Sequence, residues 1–231
     1  MKQQHSALTH STQAHTPRTV DTGADATSET RRLLAESSVG NRRRILWIDG
    51  IGGFLLVDRP EIVLGQATSG SPVDVAIVGD LSRQACVLRQ AEGDTLLQPL
   101  QEMHLNGRVV ERPQLLRSGA ELQFGRRVKL KFTQPNPLSA TARLDMLSLN
   151  RFKPHVDGVL LLRDSCVLGP ASNSHVVCPD WKTELLLFKH LDQWHFRTLD
   201  EVDVNGETCR GQVPLVAGMR MRGEDFSLSV E

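Results

Sequence analysis

The sequence has no excess of either charge. Lys and Arg total 27, Asp and Glu also total 27, and the pI is near 7 over 231 residues. A dedicated nucleic-acid or membrane-surface protein normally carries a basic surplus, so the balance argues against both partners. No apolar run approaches the roughly 20 residues of a membrane-spanning helix. The N-terminal MKQQHSALTHSTQAH has no apolar core of the kind a secretory signal needs. The four cysteines, Cys86, Cys166, Cys178 and Cys209, contain no CxxC pair. The expectation is a soluble, reduced, cytoplasmic chain whose cysteines act as small apolar residues.

Catalytic signatures are missing too. There is no nucleophile elbow, no HExxH and no kinase or hydrolase pattern. The DGIGG stretch at Asp49 to Gly53 lacks the Lys-Ser/Thr ending of a phosphate loop and reads as a hairpin turn. His175 and Cys178 form an H-V-V-C pair whose side chains would point to opposite faces of a strand. No second close pair joins them, so no metal site is expected. The reading is of a chain that is not an enzyme and uses no cofactor.

What is present divides into two materials. Residues 1–43 are rich in Thr, Ser, His, Ala and Gln, with few bulky apolar residues and no period. Such a segment buries too little surface to offset its ordering entropy, and disorder is expected. From Arg44 onward the texture is β. RILWIDGIGGFLLVD reads as two strands around a glycine-rich turn, and EIVLG, DVAIV, ACVLR, DTLLQPL, HLNGRVV, ELQFG and RVKLKF follow. Short, evenly spaced runs bounded by Gly, Pro, Asp or Ser indicate an antiparallel sandwich, and no helix is expected between Arg44 and Pro137.

The chain also repeats itself. EIVLGQA from Glu61 matches SCVLGPA from Ser165 at an offset of 104 residues. HLNGRVV from His104 matches DVNGETC from Asp203, and LLRSGAELQFG from Leu115 matches PLVAGMRMRG from Pro214, both at an offset of 99. A fixed offset means a duplicated unit. The expected organisation is a tail over 1–43, a first sandwich over 44–137 and a second over 138–231.

In the first unit a strand ending in Leu64-Gly65 precedes Asp80-Leu81-Ser82-Arg83, and Leu105-Asn106-Gly107 follows. This order resembles the forkhead-associated (FHA) domain, a β-sandwich whose loops at one end bind phosphothreonine peptides. It is similar in particular to FHA-type modules of planctomycete bacterial proteins. The resemblance covers about 44–132, and in weaker form 156–230. It implies a binding site made of Ser82, Arg83, Asn106, Gln66 and Gly107. Gln66 stands where the family has its phosphate-gripping Arg, and Ala85 stands where it has a loop-bracing His. One charge-assisted hydrogen bond is worth ~1.5–3 kcal/mol, so Gln66 implies phosphate binding weaker by roughly 10- to 100-fold. Ala85 implies a looser loop.

In the second unit Pro170 occupies the Arg position and Asp180-Trp181-Lys182-Thr183 replaces the Ser-Arg loop. That copy reads as degenerate, with Trp181 the most exposed of the three tryptophans and Trp47 in a core. The implied partner is a protein segment phosphorylated on threonine; the alternative is a structural or scaffolding protein with an extinct phosphate site. The tail carries Thr22 three residues before Asp25, a spacing several FHA-type readers prefer, which offers self-association through a phosphorylated tail.

Overall fold

The computed structural model describes residues 43–70 and 72–231. The expectations for the tail before Arg43 lie outside them. The described residues are all-β, with no helix. The first half holds β1 (Arg43–Ile48), β2 (Gly52–Val57), β3 (Glu61–Gln66), β4 (Val75–Val78), β5 (Cys86–Ala91) and β6 (Asp94–Pro99). It continues with β7 (Met103–Leu105), β8 (Arg108–Val110), β9 (Gln114–Leu115), β10 (Glu121–Phe124) and β11 (Val128–Thr133). The second half opens with β12 (Ala142–Met146), β13 (Arg151–Lys153), β14 (Gly158–Leu161), β15 (Ser165–Gly169) and β16 (Val176–Val177). It ends with β17 (Leu185–His190), β18 (Gln193–Val204), β19 (Glu207–Pro214), β20 (Arg220–Arg222) and β21 (Ser227–Val230).

Most strands alternate buried and exposed positions, as expected for a sheet with one wet face. Two do not. Phe54, Leu55, Leu56 and Val57 on β2 are all buried, as are Val159, Leu160 and Leu161 on β14 and Leu162 beyond it. These continuous apolar runs pair in parallel, Phe54 opposite Gly158 through Val57 opposite Leu161. A parallel pair covered on both faces is how such runs satisfy both sides. The pair is locked at one end by Asp157. Its backbone N–H donates to the Gly53 carbonyl at 2.8 Å, and its carboxylate accepts from the Gly53 N–H at 2.8 Å.

Each face of this spine belongs to a different core. Leu55, Val57, Val159 and Leu161 join a cluster with Ile62, Leu64, Leu88, Leu122, Phe124 and Phe132. Phe54, Leu56, Leu160 and Leu162 join another with Leu168, Leu187, Trp194, Phe196, Met221 and Leu228. The first core lies against the six-stranded sheet β13-β4-β3-β5-β6-β9. The second lies inside the 15-stranded sheet itself, which brings β15, β17 and β18 over β1 and β21. A register shift between Thr198 and Val202 on β18 marks the bend.

The strand pairing crosses the boundary drawn at 137/138. β1 pairs with β21 at the C-terminal end of the chain, while β12 pairs with β11 and β14 with β12. The opening hairpin thus completes the sheet over the C-terminal core, and β12 with β14 completes the sheet over the N-terminal one. Polar contacts follow the same crossing. Asp58 accepts from Trp194 Nε1 at 2.9 Å and pairs with Lys189 at 3.1 Å. The Arg143 guanidinium lies 5.0 Å from the centre of the Phe54 ring and donates to the His175 carbonyl at 3.2 Å.

The two cores should therefore unfold together. Phe54→Ala is expected to cost about 3–5 kcal/mol and to lower one cooperative transition in denaturant rather than split it. Fragments 41–137 and 138–231, each missing strands of its sheet, are expected to lack that transition alone and to regain it when mixed. A circular dichroism melt of each sample checks both outcomes.

Candidate functional site

The loop between β4 and β5 is set by glycine. At Gly65 an added Cβ would come within 2.0 Å of the Arg83 carbonyl oxygen and 3.0 Å of Gln84 Cα. Only a residue without a side chain lets the backbone of 82–84 cross β3 so closely. Hydrogen bonds then pin the loop. The Gln66 N–H donates to the Ser82 carbonyl at 3.0 Å, and the Ala85 N–H donates to the Leu64 carbonyl at 2.8 Å. Gln66 Nε2 donates to the Gly79 carbonyl at 3.1 Å, and the Ser82 N–H donates to Gln101 Oε1 at 2.8 Å.

This corrects the expectation of a loose loop. Ala85 is fully buried, and its backbone ties the loop to β3 on one side and to Leu100 on the other, whose N–H donates to the Ala85 carbonyl at 3.0 Å. Bracing comes from main chain and from two glutamine amides instead of an imidazole. Gln101 left no readable signal, because a single Gln between strands has many ordinary uses.

Ser82 and Arg83 line an open basin of about 460 Å³ with Thr68, Gly70, Pro72 and Leu100. Its lining residues include three that carry hydroxyls (Thr68, Ser69 and Ser82), one arginine and the apolar Leu100. Such a set can hold a phosphate or carboxylate by charge-assisted hydrogen bonds. The polar segment Thr68-Ser69-Gly70 after β3 is the signal in the sequence that would have extended the site.

Gln66, Asn106 and Gly107 are placed differently. Gln66 is not among the residues that line the basin, and its Nε2 donates to the Gly79 carbonyl. Asn106 and Gly107 form the β7–β8 turn with φ of 52° and 77°. Asn106 Oδ1 accepts from the Glu121 N–H at 2.9 Å. In the second half Asn205 does the same 99 residues on, at φ 54°, accepting from the Arg220 N–H at 2.9 Å. A left-handed Asn followed by Gly is what a tight hairpin requires. The recurrence of the side-chain bond gives both asparagines a structural job outside the basin.

The second half closes its equivalent loop. Gly169 repeats the close approach, since a Cβ there would meet Glu184 at 2.8 Å. Trp181 is buried, not exposed as expected, and its ring lies 4.9 Å from that of Phe226. The Lys182 backbone N–H donates to Asp225, and its ammonium pairs with Glu224 at 2.7 Å. That hydrogen bond raises the Lys182 pKa above its ordinary value. Both the backbone and the side-chain donor of Lys182 are thus taken up by carboxylates. Trp47 is half-buried, with its ring over Gly53, where a Cβ would meet it at 2.3 Å; Leu46 and Ile48 supply the core side of that strand.

Three of the four cysteines and His175 are sealed in. Cys86, Cys166 and Cys178 are fully buried, and burial pushes their thiols up, for Cys178 to about 11. Thiols held protonated are poor nucleophiles and poor ligands. No group of three or more His, Cys, Asp and Glu stands where it could hold a metal among the described residues. His175 is 1% exposed, and its Nδ1 accepts from the Val167 N–H at 3.0 Å, which places the ring proton on Nε2.

No family model and no curated protein matches the chain. Among solved structures, the N-terminal FHA domain from EssC, a component of the bacterial Type VII secretion apparatus, is similar over 81% of this chain and 92% of its own. The identity is 12% and the TM-score 0.23, an overlay too loose to carry residue roles.

Two outcomes follow from this geometry. Gly65→Ala is expected to displace the 82–84 backbone and to destabilise the chain by about 1–3 kcal/mol, seen as amide shifts at Ser82 and Gln84 and a lower denaturation midpoint. For His175, burial holds the pKa below the ordinary value, with the Thr141 backbone and Asp164 acting in the opposite sense. The unfolded chain then takes up a proton near pH 6.5 before the folded one does, so this group costs nothing above that pH and destabilises as pH falls below it. Denaturant titrations at stepped pH values should show this loss, and His175→Asn should remove part of it.

Proposed function

We propose that this chain is a non-catalytic protein-interaction module of FHA type. In this reading it is built from two copies whose opening strands complete each other's sheets. The basin beside Ser82 and Arg83 takes a phosphothreonine side chain of a partner protein. The observation that carries the reading is the convergence of Thr68, Ser82 and Arg83 on one open basin of about 460 Å³. A phosphate brings about −1.5 to −2 charges and three acceptor oxygens, and hydroxyls with a guanidinium answer both. The second copy, with its loop closed by Glu224 and Asp225, serves the first as structure.

A second reading rests on its own observation. Gln66 and Asn106, which the family resemblance gives to ligand binding, each commit one amide atom to the protein's own backbone, Gln66 Nε2 to the Gly79 carbonyl and Asn106 Oδ1 to the Glu121 N–H. A scaffold with an extinct phosphate site would look the same at those two positions.

Titration with phosphothreonine peptides separates the readings. Binding is expected for the phosphorylated peptide and not for its unmodified form. Arg83→Ala removes one charge-assisted contact and is expected to weaken binding by roughly 10- to 100-fold, and Ser82→Ala by less. Binding insensitive to both substitutions would move the site elsewhere, and no binding at millimolar peptide would favour the scaffold.

A further inference from the structure

A second basin is lined in part by the start of the same loop and has no part in the reading above. It holds about 470 Å³ between Val78, Gly79 and Asp80 of the first half, Arg127 of the β10–β11 turn, and Leu149 to Arg151 ahead of and on β13. Both halves build it. β13 pairs with β4, Arg151 opposite Val78, and Asn150 Nδ2 donates to the Val78 carbonyl at 3.0 Å. Asn150 is itself held by the Ser148 hydroxyl, which donates to its Oδ1 at 2.9 Å. A Cβ added to Gly79 would meet Asn150 Nδ2 at 2.8 Å and Val128 at 2.7 Å, so the wall is tightly set.

The lining combines unpaired cations with bare aliphatic surface. Neither Arg127 nor Arg151 has a carboxylate at ion-pair distance among the described residues. Arg126 and Lys153 beside them are also exposed, against one carboxylate at Asp80. In a chain with equal numbers of positive and negative side chains, that is a local departure in sign. Leu149 is 108% exposed, and Val78 and Leu147 are 39% and 49% exposed. Solvent-facing leucine beside free guanidinium groups is the pairing of apolar and Arg anchors that binding surfaces use.

We propose that this basin docks an acidic, aliphatic segment of a partner protein, with carboxylates on Arg127 and Arg151 and a Leu, Ile or Val side chain against Leu149 and Val78. The segment docks by its side chains and does not extend the sheet. β13 ends its sheet but is only three residues long, carries two cations and runs into Pro154, all devices that blunt an edge. Nucleic acid fits less well, because it would leave the aliphatic wall uncovered and would need a longer basic track.

The test uses the full chain, isotope-labelled, and a synthetic peptide with the core Asp-Leu-Glu-Leu. Amide shifts are expected at Gly79, Arg127, Asn150 and Arg151. They should weaken at least roughly tenfold when Asn and Gln replace the acids, when Ser replaces the leucines, and in the Arg127→Glu/Arg151→Glu chain. These side chains are exposed, so an unchanged melt certifies the fold; Leu149→Ser gives a second, uncharged check. Shifts confined to Thr68 and Ser82, no shifts at millimolar peptide, or tighter binding of oligothymidylate at the same residues would each overturn the proposal.

Discussion

The parallel pairing of β2 with β14 is the constraint from which the rest of the structure follows. Seven of the eight residues in this pair are large and apolar, and both of its faces are covered. Each such side chain contributes about 1.5–3 kcal/mol when removed from water. Neither core keeps that contribution unless the opening hairpin and β12 to β14 sit where they do. Asp157 fixes the register at one end by bonding Gly53 through both its backbone and its carboxylate. A slip by one residue would turn Phe54 and Leu56 toward the wrong core.

The candidate site inherits its rigidity from that frame. Gly65 lets the loop after β4 lie directly on β3, and the hydrogen bonds around Ser82 and Ala85 leave little freedom. The same loop contributes to two concave surfaces, one lined by Ser82 and Arg83 with Thr68 and the other by Gly79 and Asp80 with Arg151. The second of these needs β13, so residues from both halves of the chain build it.

Comparing the two halves separates structural from candidate site residues. Asn106 and Asn205 make the same bond 99 residues apart, and the second half has no Ser-Arg loop. A bond made in both settings belongs to the hairpin. Lys182 shows the converse: its donors are taken up at the surface by Glu224 and Asp225, so a cation in the corresponding loop does not amount to an anion site.

The sequence by itself determined that the chain is built of short strands and turns. Alternating apolar residues and Asn-Gly pairs act over two to six neighbours, and that is the range sequence pattern reports. The polar Thr68-Ser69-Gly70 segment was legible in the same way, as a loop, but not as a wall of the Ser82 basin. Which hairpin completes which core, where Gln66 and Asn106 direct their amides, and the burial of Trp181 against Phe226 were decided by tertiary structure alone. Each depends on a partner from 13 to nearly two hundred residues away. The apolar runs FLLV and GVLLL lie on strands buried on both faces, but a run of leucines does not say what lies on either side of it.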